Sequence, residues 1–160
     1  KSTPEPEHLA VHWGMTMAAY PFWGVVAENV GRLLRLQGSV TAAQVQRRLR
    51  EKYGERETVA RAARRILSAM RDWDVLLDIT PKGTYEPARA RKPGRPAIGA
   101  WLVEAVLWSN ASVSSPIHAL AASPALFPFE MSAVRPRDLE RRTSVDVVTQ
   151  GGEHVVVLRK

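Results

Sequence analysis

Cysteine is absent from the 160-residue sequence, which excludes disulfides, thiolate metal sites and a cysteine nucleophile. Apolar runs are short: none approaches the roughly 18–20 residues of a membrane span, and no signal peptide is visible. Gly-rich phosphate loops, Ser/His/Asp spacings and clustered carboxylates are missing too. Of four histidines, only His8 and His12 lie close together. We therefore expect a cytoplasmic protein that is not an enzyme and has no metal, cofactor or membrane partner.

Acidic residues are outnumbered, with 23 Lys and Arg against 16 Asp and Glu and a formal net charge of +7. The surplus is local, because residues 32–95 contain 16 basic and 7 acidic residues and the remainder contains 7 and 9. A localised basic surface is typical of proteins that bind nucleic acid. Net charge alone is equally compatible with a basic protein that has no such partner.

Three helices and a hairpin are predicted between residues 21 and 87. Apolar residues recur at helical spacing from Pro21 until Gly38, a residue suited to end a helix. Thr41 and Gln44 match a capping box, in which each side chain accepts a hydrogen bond from the other residue's backbone N–H. The predicted elements are a helix beginning at residue 21, helices over 42–53 and 58–73, and strands over 75–79 and 84–86 around a turn at 80–83.

The rest of the chain predicts more helices and a second hairpin. Residues 1–8 are expected to be extended or disordered and residues 8–19 helical, while an amphipathic helix is predicted over 98–109. Ser115-Pro116 and Ser123-Pro124 are typical helix starts, and strands are predicted over 144–149 and 154–159. We expect a mainly α protein of the α+β class with small β-hairpins. Its predicted divisions are an N-terminal extension (1–20), a unit of three helices and a hairpin (21–87), a basic linker (88–96) and a second helical domain that ends in a hairpin (97–160).

Residues 21–87 resemble the winged helix-turn-helix superfamily. The resemblance is carried by the capped second helix, the arginine-rich third helix and the hairpin. It implies that the third helix lies in the major groove of DNA and that the hairpin, or wing, contacts the backbone or minor groove. Because residues 97–160 also end in a hairpin, a second, degenerate winged helix is a candidate for that segment.

The candidate nucleic-acid-binding residues are basic or polar side chains on these elements. On the second helix they are Arg47 and Arg48, with Arg50 and Lys52 suited to flanking phosphates. On the third helix and just before it they are Arg56, Thr58, Arg61, Arg64, Arg65 and Ser68. Lys82 lies at the wing tip, and Arg91, Lys92 and Arg95 lie in the linker.

The linker sequence Arg91-Lys92-Pro93-Gly94-Arg95-Pro96 is similar to the core of an AT-hook, whose extended Gly-Arg-Pro unit lies in a narrow A·T minor groove. Pro93 stands where the usual hook has Arg. A stiff basic interdomain linker is the alternative interpretation. The stretch from His12-Trp13-Gly14-Met15 through Leu36-Gln37-Gly38 resembles small accessory proteins of bacterial phage-defence islands.

The leading hypothesis is a double-stranded DNA-binding protein that acts in transcriptional control or in a larger bacterial system such as phage defence. The alternative is a non-catalytic assembly subunit that uses the winged helix for protein–protein contacts, because the C-terminal helices are very apolar. RNA binding through the same basic face is a third hypothesis. Further protein subunits, or a second copy of the chain, are candidate partners.

Overall fold

A computed structural model describes residues 5–159, which form seven α-helices, one short 3-10 helix and six strands. The helices are α1 (Glu5–Ala19), α2 (Pro21–Gln37), α3 (Ala42–Tyr53), α4 (Glu57–Asp72), α5 (Pro96–Ser109), α6 (Ile117–Ala121) and α7 (Pro136–Glu140), with the 3-10 helix at Pro124–Leu126. The strands are β1 (Val40–Thr41), β2 (Leu76–Ile79), β3 (Thr84–Pro87), β4 (Ser114–Pro116), β5 (Val145–Gln150) and β6 (Glu153–Leu158). The predicted α+β class with small hairpins is confirmed.

The first half of the molecule, residues 21–87, contains α2, β1, α3, α4, β2 and β3 in that order. Its strands form an antiparallel sheet of order β1-β3-β2. Val40 pairs with Tyr85, and Ala42 donates its backbone N–H to the Gly83 carbonyl at 2.8 Å. The hairpin is therefore attached to the start of α3 as well as to the end of α4.

The second half, residues 96–158, repeats this order. It contains α5, β4, α6, the 3-10 helix, α7, β5 and β6, and its sheet has the order β4-β6-β5. Ser115 pairs with Val156 in the strand contact that corresponds to β1 on β3. In both halves a short strand after the first helix pairs with the last strand of the hairpin.

Local sequence determines the ends of α2 and α3. Gly38 adopts a left-handed conformation (φ 73°, ψ −8°) and donates its N–H to the Leu34 carbonyl, which ends α2. Thr41 and Gln44 form the predicted capping box, with hydrogen bonds of 2.9 and 3.1 Å. The predicted bounds of α3 are therefore confirmed at both ends.

Helix α1 packs on both halves and corrects one prediction. Residues 5–8 are helical rather than extended or disordered, and residues 1–4 lie outside the described part of the chain. Gly14 allows α1 to approach α5 closely, because a Cβ there would lie 2.4 Å from Nε1 of Trp101. Trp13 is fully buried and donates its indole N–H to the Ala125 carbonyl at 3.0 Å.

A single hydrophobic cluster runs through both halves. Around Trp13 are rings from the first half, Trp23 and Trp73, and rings from the second half, Phe127 and Phe129, with centroids 5.5 to 6.4 Å away. Aromatic pairs at these distances and steep angles are favourable. The N-terminal helix therefore contributes the side chain on which both halves pack.

One prediction for the second half is wrong, and another is confirmed with a shifted boundary. Helix α5 is not amphipathic: every residue from 99 to 107 is buried except Trp101, because α1, α2, α6 and α7 surround the helix. A short helix does follow Ser115-Pro116, as predicted, but both of these residues belong to β4 and α6 begins one residue later, at Ile117. None of the helices in residues 5–159 is long and apolar enough to cross a membrane.

Candidate nucleic-acid interface

Helix α4 has one buried face and one basic face. Ala63, Leu67 and Met70 are buried in the core. The opposite face, here called the arginine face, consists of Thr58, Arg61, Arg64, Arg65 and Ser68; the first four are exposed and Ser68 is half-buried. Residues spaced by three or four along a helix share a face, so these five side chains form one stripe. The structure brings together the third-helix residues that the sequence analysis selected.

Few acidic groups neutralise this stripe. Arg64 pairs with Glu57 at 2.7 Å, and both side chains are more than half exposed. Arg61 and Arg65 have no acidic partner within 4 Å among the described residues. An exposed ion pair such as Arg64–Glu57 contributes little stability and exchanges readily with other partners. The arginine face therefore presents two unpaired guanidinium groups and one weakly paired group to solvent.

The basic residues of α3 divide into exposed and packed side chains. Arg47 is exposed and lies 3.9 Å from Glu51. Arg48 is half-buried, and its Nε is buried without a hydrogen-bond partner, so this side chain is partly withdrawn from the surface. Arg50, Arg56 and Arg64 line one cleft of about 240 Å³ between α3 and α4. The C-terminal end of α3 and the first half of α4, with the residue before it, thus contribute basic groups to the same cleft.

The hairpin adds a basic tip beside the end of α4. Lys82 is exposed in the turn, and Gly83 has the positive φ (84°) that the turn requires. Arg71 lies 3.6 Å from Asp78 of β2, and a groove of about 510 Å³ runs between Arg71 and the hairpin as far as Lys82. Arg71 is not among the residues predicted from the sequence, although its spacing of three from Ser68 extends the arginine face by one residue.

The linker residues have structural partners within the chain. Arg91 forms a parallel β-bridge with Phe129, and its guanidinium donates to the Trp73 and Asp74 carbonyls at 3.4 and 3.2 Å. Lys92 is exposed. Arg91 therefore satisfies carbonyls at the end of α4, whereas the Lys92 side chain is open to solvent.

Arg95 is paired with a carboxylate 88 residues away. It donates from its backbone N–H, Nε and Nη2 to Glu7 over distances of 2.6 to 3.0 Å. Glu7 is buried, and these hydrogen bonds hold the pKa of its carboxyl below the ordinary value. Insertion of Arg95 into a minor groove, as in an AT-hook, would require this pair to break.

The exposed basic residues around α4 thus form a surface, whereas Arg91 and Arg95 each already have hydrogen-bond partners within the chain. Glu55 and Glu57 are the acidic residues in the cleft between α3 and α4. No protein-family model, curated protein or solved structure matches the chain. The chemistry of this surface is therefore the basis on which a function is assigned.

Proposed function

We propose that the protein binds double-stranded DNA with the arginine face of α4 in the major groove. In this proposal residues 21–87 form a winged helix-turn-helix and the β2–β3 hairpin is its wing. The observation that carries the proposal is the stripe of exposed arginines on a helix whose other face is buried. Such binding would serve transcriptional control or a DNA-directed component of a larger bacterial system such as phage defence.

The geometry of α4 suits a groove. A major groove about 12 Å wide accepts one α-helix, and arginine forms bidentate hydrogen bonds with guanine or contacts phosphates. Because Arg61 and Arg65 lie one turn apart on an exposed surface, they can reach neighbouring base pairs. Helix α4 has 16 residues, enough for an arginine face of more than two turns.

The surroundings of α4 suit the DNA backbone. Arg47 and Arg50 on α3, together with Lys82 on the hairpin, are exposed on the elements that flank α4. Contacts with phosphate orient a protein on the duplex without reading its sequence. We assign these three residues to phosphates and the arginine face to the groove itself.

Matched charge reversals test the proposal. We expect Arg61→Glu with Arg65→Glu to weaken binding to a random duplex by about 100-fold or more at low salt, since each arginine contact contributes about 1–3 kcal/mol. The measurement is fluorescence anisotropy with a labelled duplex. The control is Arg137→Glu with Arg141→Glu, the same charge change on exposed arginines of the second half.

The outcomes are distinct. Loss of binding in the α4 variant alone, with an unchanged thermal unfolding midpoint, supports the proposal. Equal losses of affinity in both variants would show that binding depends only on the net charge of the protein. Unchanged affinity in the α4 variant would show that α4 does not contact DNA. A preference for single-stranded RNA over the duplex would favour RNA binding instead.

An assembly role is a second candidate, favoured by a groove in the second half. Residues of α6, α7 and the tip of the β5–β6 hairpin line an open, mostly apolar cavity of about 630 Å³. Apolar surfaces of this kind are typical of protein contacts. Sedimentation of the purified chain tests whether it self-associates; a monomer that binds duplex DNA as described above would leave this role without support.

A further inference from the structure

We propose that the crevice between the two halves binds a small organic anion with an apolar body. This seam crevice has a volume of about 380 Å³ and lies between α2, the linker and the segment after the 3-10 helix. Ligand-binding cavities in proteins begin at about 300 Å³, so the crevice is large enough for a small metabolite. It is separate from the arginine face of α4.

Three arginines line the crevice. They are Arg35 of α2 and Arg89 and Arg91 of the linker, and no acidic residue lines it. None of the three has a carboxylate within 4 Å among the described residues. Cations that line one cavity without a counter-ion raise its positive potential, and a bound anion is attracted by that potential.

Two of these arginines are held in place by backbone carbonyls. Arg35 donates to the Ala122 carbonyl at 2.9 Å and, more weakly, to the Ser123 carbonyl at 3.4 Å. Arg91 donates through Nη2 to the carbonyls at the end of α4. A guanidinium has five N–H groups, so both retain donors for a ligand. Arg89 is exposed and has no hydrogen bond or ion pair within residues 5–159.

The remaining wall is apolar. Leu34, Val75, Phe127 and Phe129 line the crevice together with Pro128. A site that combines an apolar wall with a few converging charged groups selects a ligand by both properties. Arginine pairs well with planar carboxylates, sulfonates and phosphates. The ligand class is therefore a hydrophobic or aromatic carboxylate, sulfonate or phosphate ester.

The test uses 8-anilinonaphthalene-1-sulfonate, an aromatic sulfonate that fluoresces on transfer to apolar surroundings. We expect saturable binding at one site, and at least tenfold weaker binding of N-phenyl-1-naphthylamine, which has the same body without the charge. Arg89→Gln should weaken sulfonate binding by about tenfold or more, since it removes a charge-assisted hydrogen bond. Lys92→Gln, an equal charge loss in the same linker, is the control.

We expect the Arg89→Gln variant to fold normally, because Arg89 has no hydrogen bond or ion pair within residues 5–159. A change in sulfonate binding can then be assigned to the crevice. Sulfonate binding that is absent, equally strong in Arg89→Gln, or matched by the neutral compound would overturn the proposal. Displacement of the sulfonate by duplex DNA, with a matching loss of duplex affinity in Arg89→Gln, would assign the crevice to DNA phosphate and also overturn it. Competition by benzoate or by adenosine monophosphate then distinguishes carboxylate from phosphate ligands.

Discussion

Residues 21–87 and residues 96–158 follow the same order of elements, and each joins its first strand to its last. They differ most at the last helix, the one that precedes the hairpin. In the first half this helix is α4, with 16 residues, and in the second half it is α7, with five. A five-residue helix has little more than one turn and cannot present a stripe of side chains.

The charges of the two halves differ in the same direction. Residues 21–87 have twelve basic and eight acidic residues, and residues 96–159, which add Arg159 to the second half, have five and six. In the second half three of the five arginines are ion-paired: Arg135 with Asp138, Arg142 with Glu104 and Arg159 with Asp146. In the first half, eight of the twelve basic residues have no such partner among the described residues. The two halves thus share one arrangement of elements, but the first has an exposed cationic surface and the second has arginines that are mostly paired with its own carboxylates. Function follows from such surfaces rather than from the fold.

The largest expected effect comes from the ring that joins the halves. We expect Trp13→Ala to lower the free energy of unfolding by about 3–5 kcal/mol, the usual cost of removing a buried aromatic side chain. Because Trp13 contacts both halves, calorimetry should show one transition that moves as a whole. Two transitions, with one half unaffected, would show that the halves fold separately.

The next effect tests the internal pairing of the second half. Glu104 is buried and accepts hydrogen bonds from Arg142, Ser144 and Trp108. Glu104→Gln should cost about 2 kcal/mol in urea unfolding, because hydrogen bonds to a charged group are lost. Duplex affinity should not change. A loss of duplex affinity in a variant that stays folded would place the second half in the interface.

A smaller effect on stability is expected at the start of the second helix, where the two halves differ in their N-caps. Thr41 caps α3 through its side chain, whereas Pro116, at the same place before α6, has no side-chain cap. Thr41→Ala should therefore lower the free energy of unfolding by about 1 kcal/mol. Thr41→Ser keeps the hydroxyl and is the control. An unchanged unfolding midpoint in Thr41→Ala would show that the capping box contributes nothing.

The smallest effect concerns the pair between α1 and the linker. The Arg95 side chain lowers the pKa of Glu7 in the folded protein, so the folded state binds a proton less readily than the unfolded chain. The stabilisation is present above the ordinary pKa of 4.5 and is lost as the pH falls through the folded value. Glu7→Gln should thus be less stable than the parent at pH 7 and equal to it in strong acid. The measurement is urea unfolding of both proteins across this pH range. If Glu7→Gln remained less stable than the parent in strong acid, the stabilisation would not come from the ionised Glu7 carboxylate.

Much of the first half could be predicted because its signals are local. The capping box, Gly38 and the apolar periodicity of α4 each act within a few residues, and the predicted α2, α3 and α4 are present. The arginine face follows from the same periodicity, since the residues opposite a buried stripe are exposed.

The rest depends on contacts between distant residues. Strand β1 has two residues and exists only because β3 pairs with it, so no local pattern marks it. Likewise Arg95 meets Glu7 across 88 residues, and sequence alone could not show that this arginine is already paired. The apolar sequence of α5 predicts one buried face, because a sequence does not show that other helices surround this one on all sides. Arg71 could have been found by extending the three-residue spacing beyond Ser68.

The salt dependence of duplex affinity tests the central claim most directly. Each phosphate that a protein neutralises adds about 0.9 to the slope of log affinity against log salt concentration. The measurement compares the parent, Arg47→Gln with Lys82→Gln, and Arg137→Gln with Arg141→Gln. The account predicts that the slope falls by about 2 in the first variant and is unchanged in the second. Equal slopes for all three proteins, or no salt dependence in the parent, would contradict a DNA interface confined to the first half.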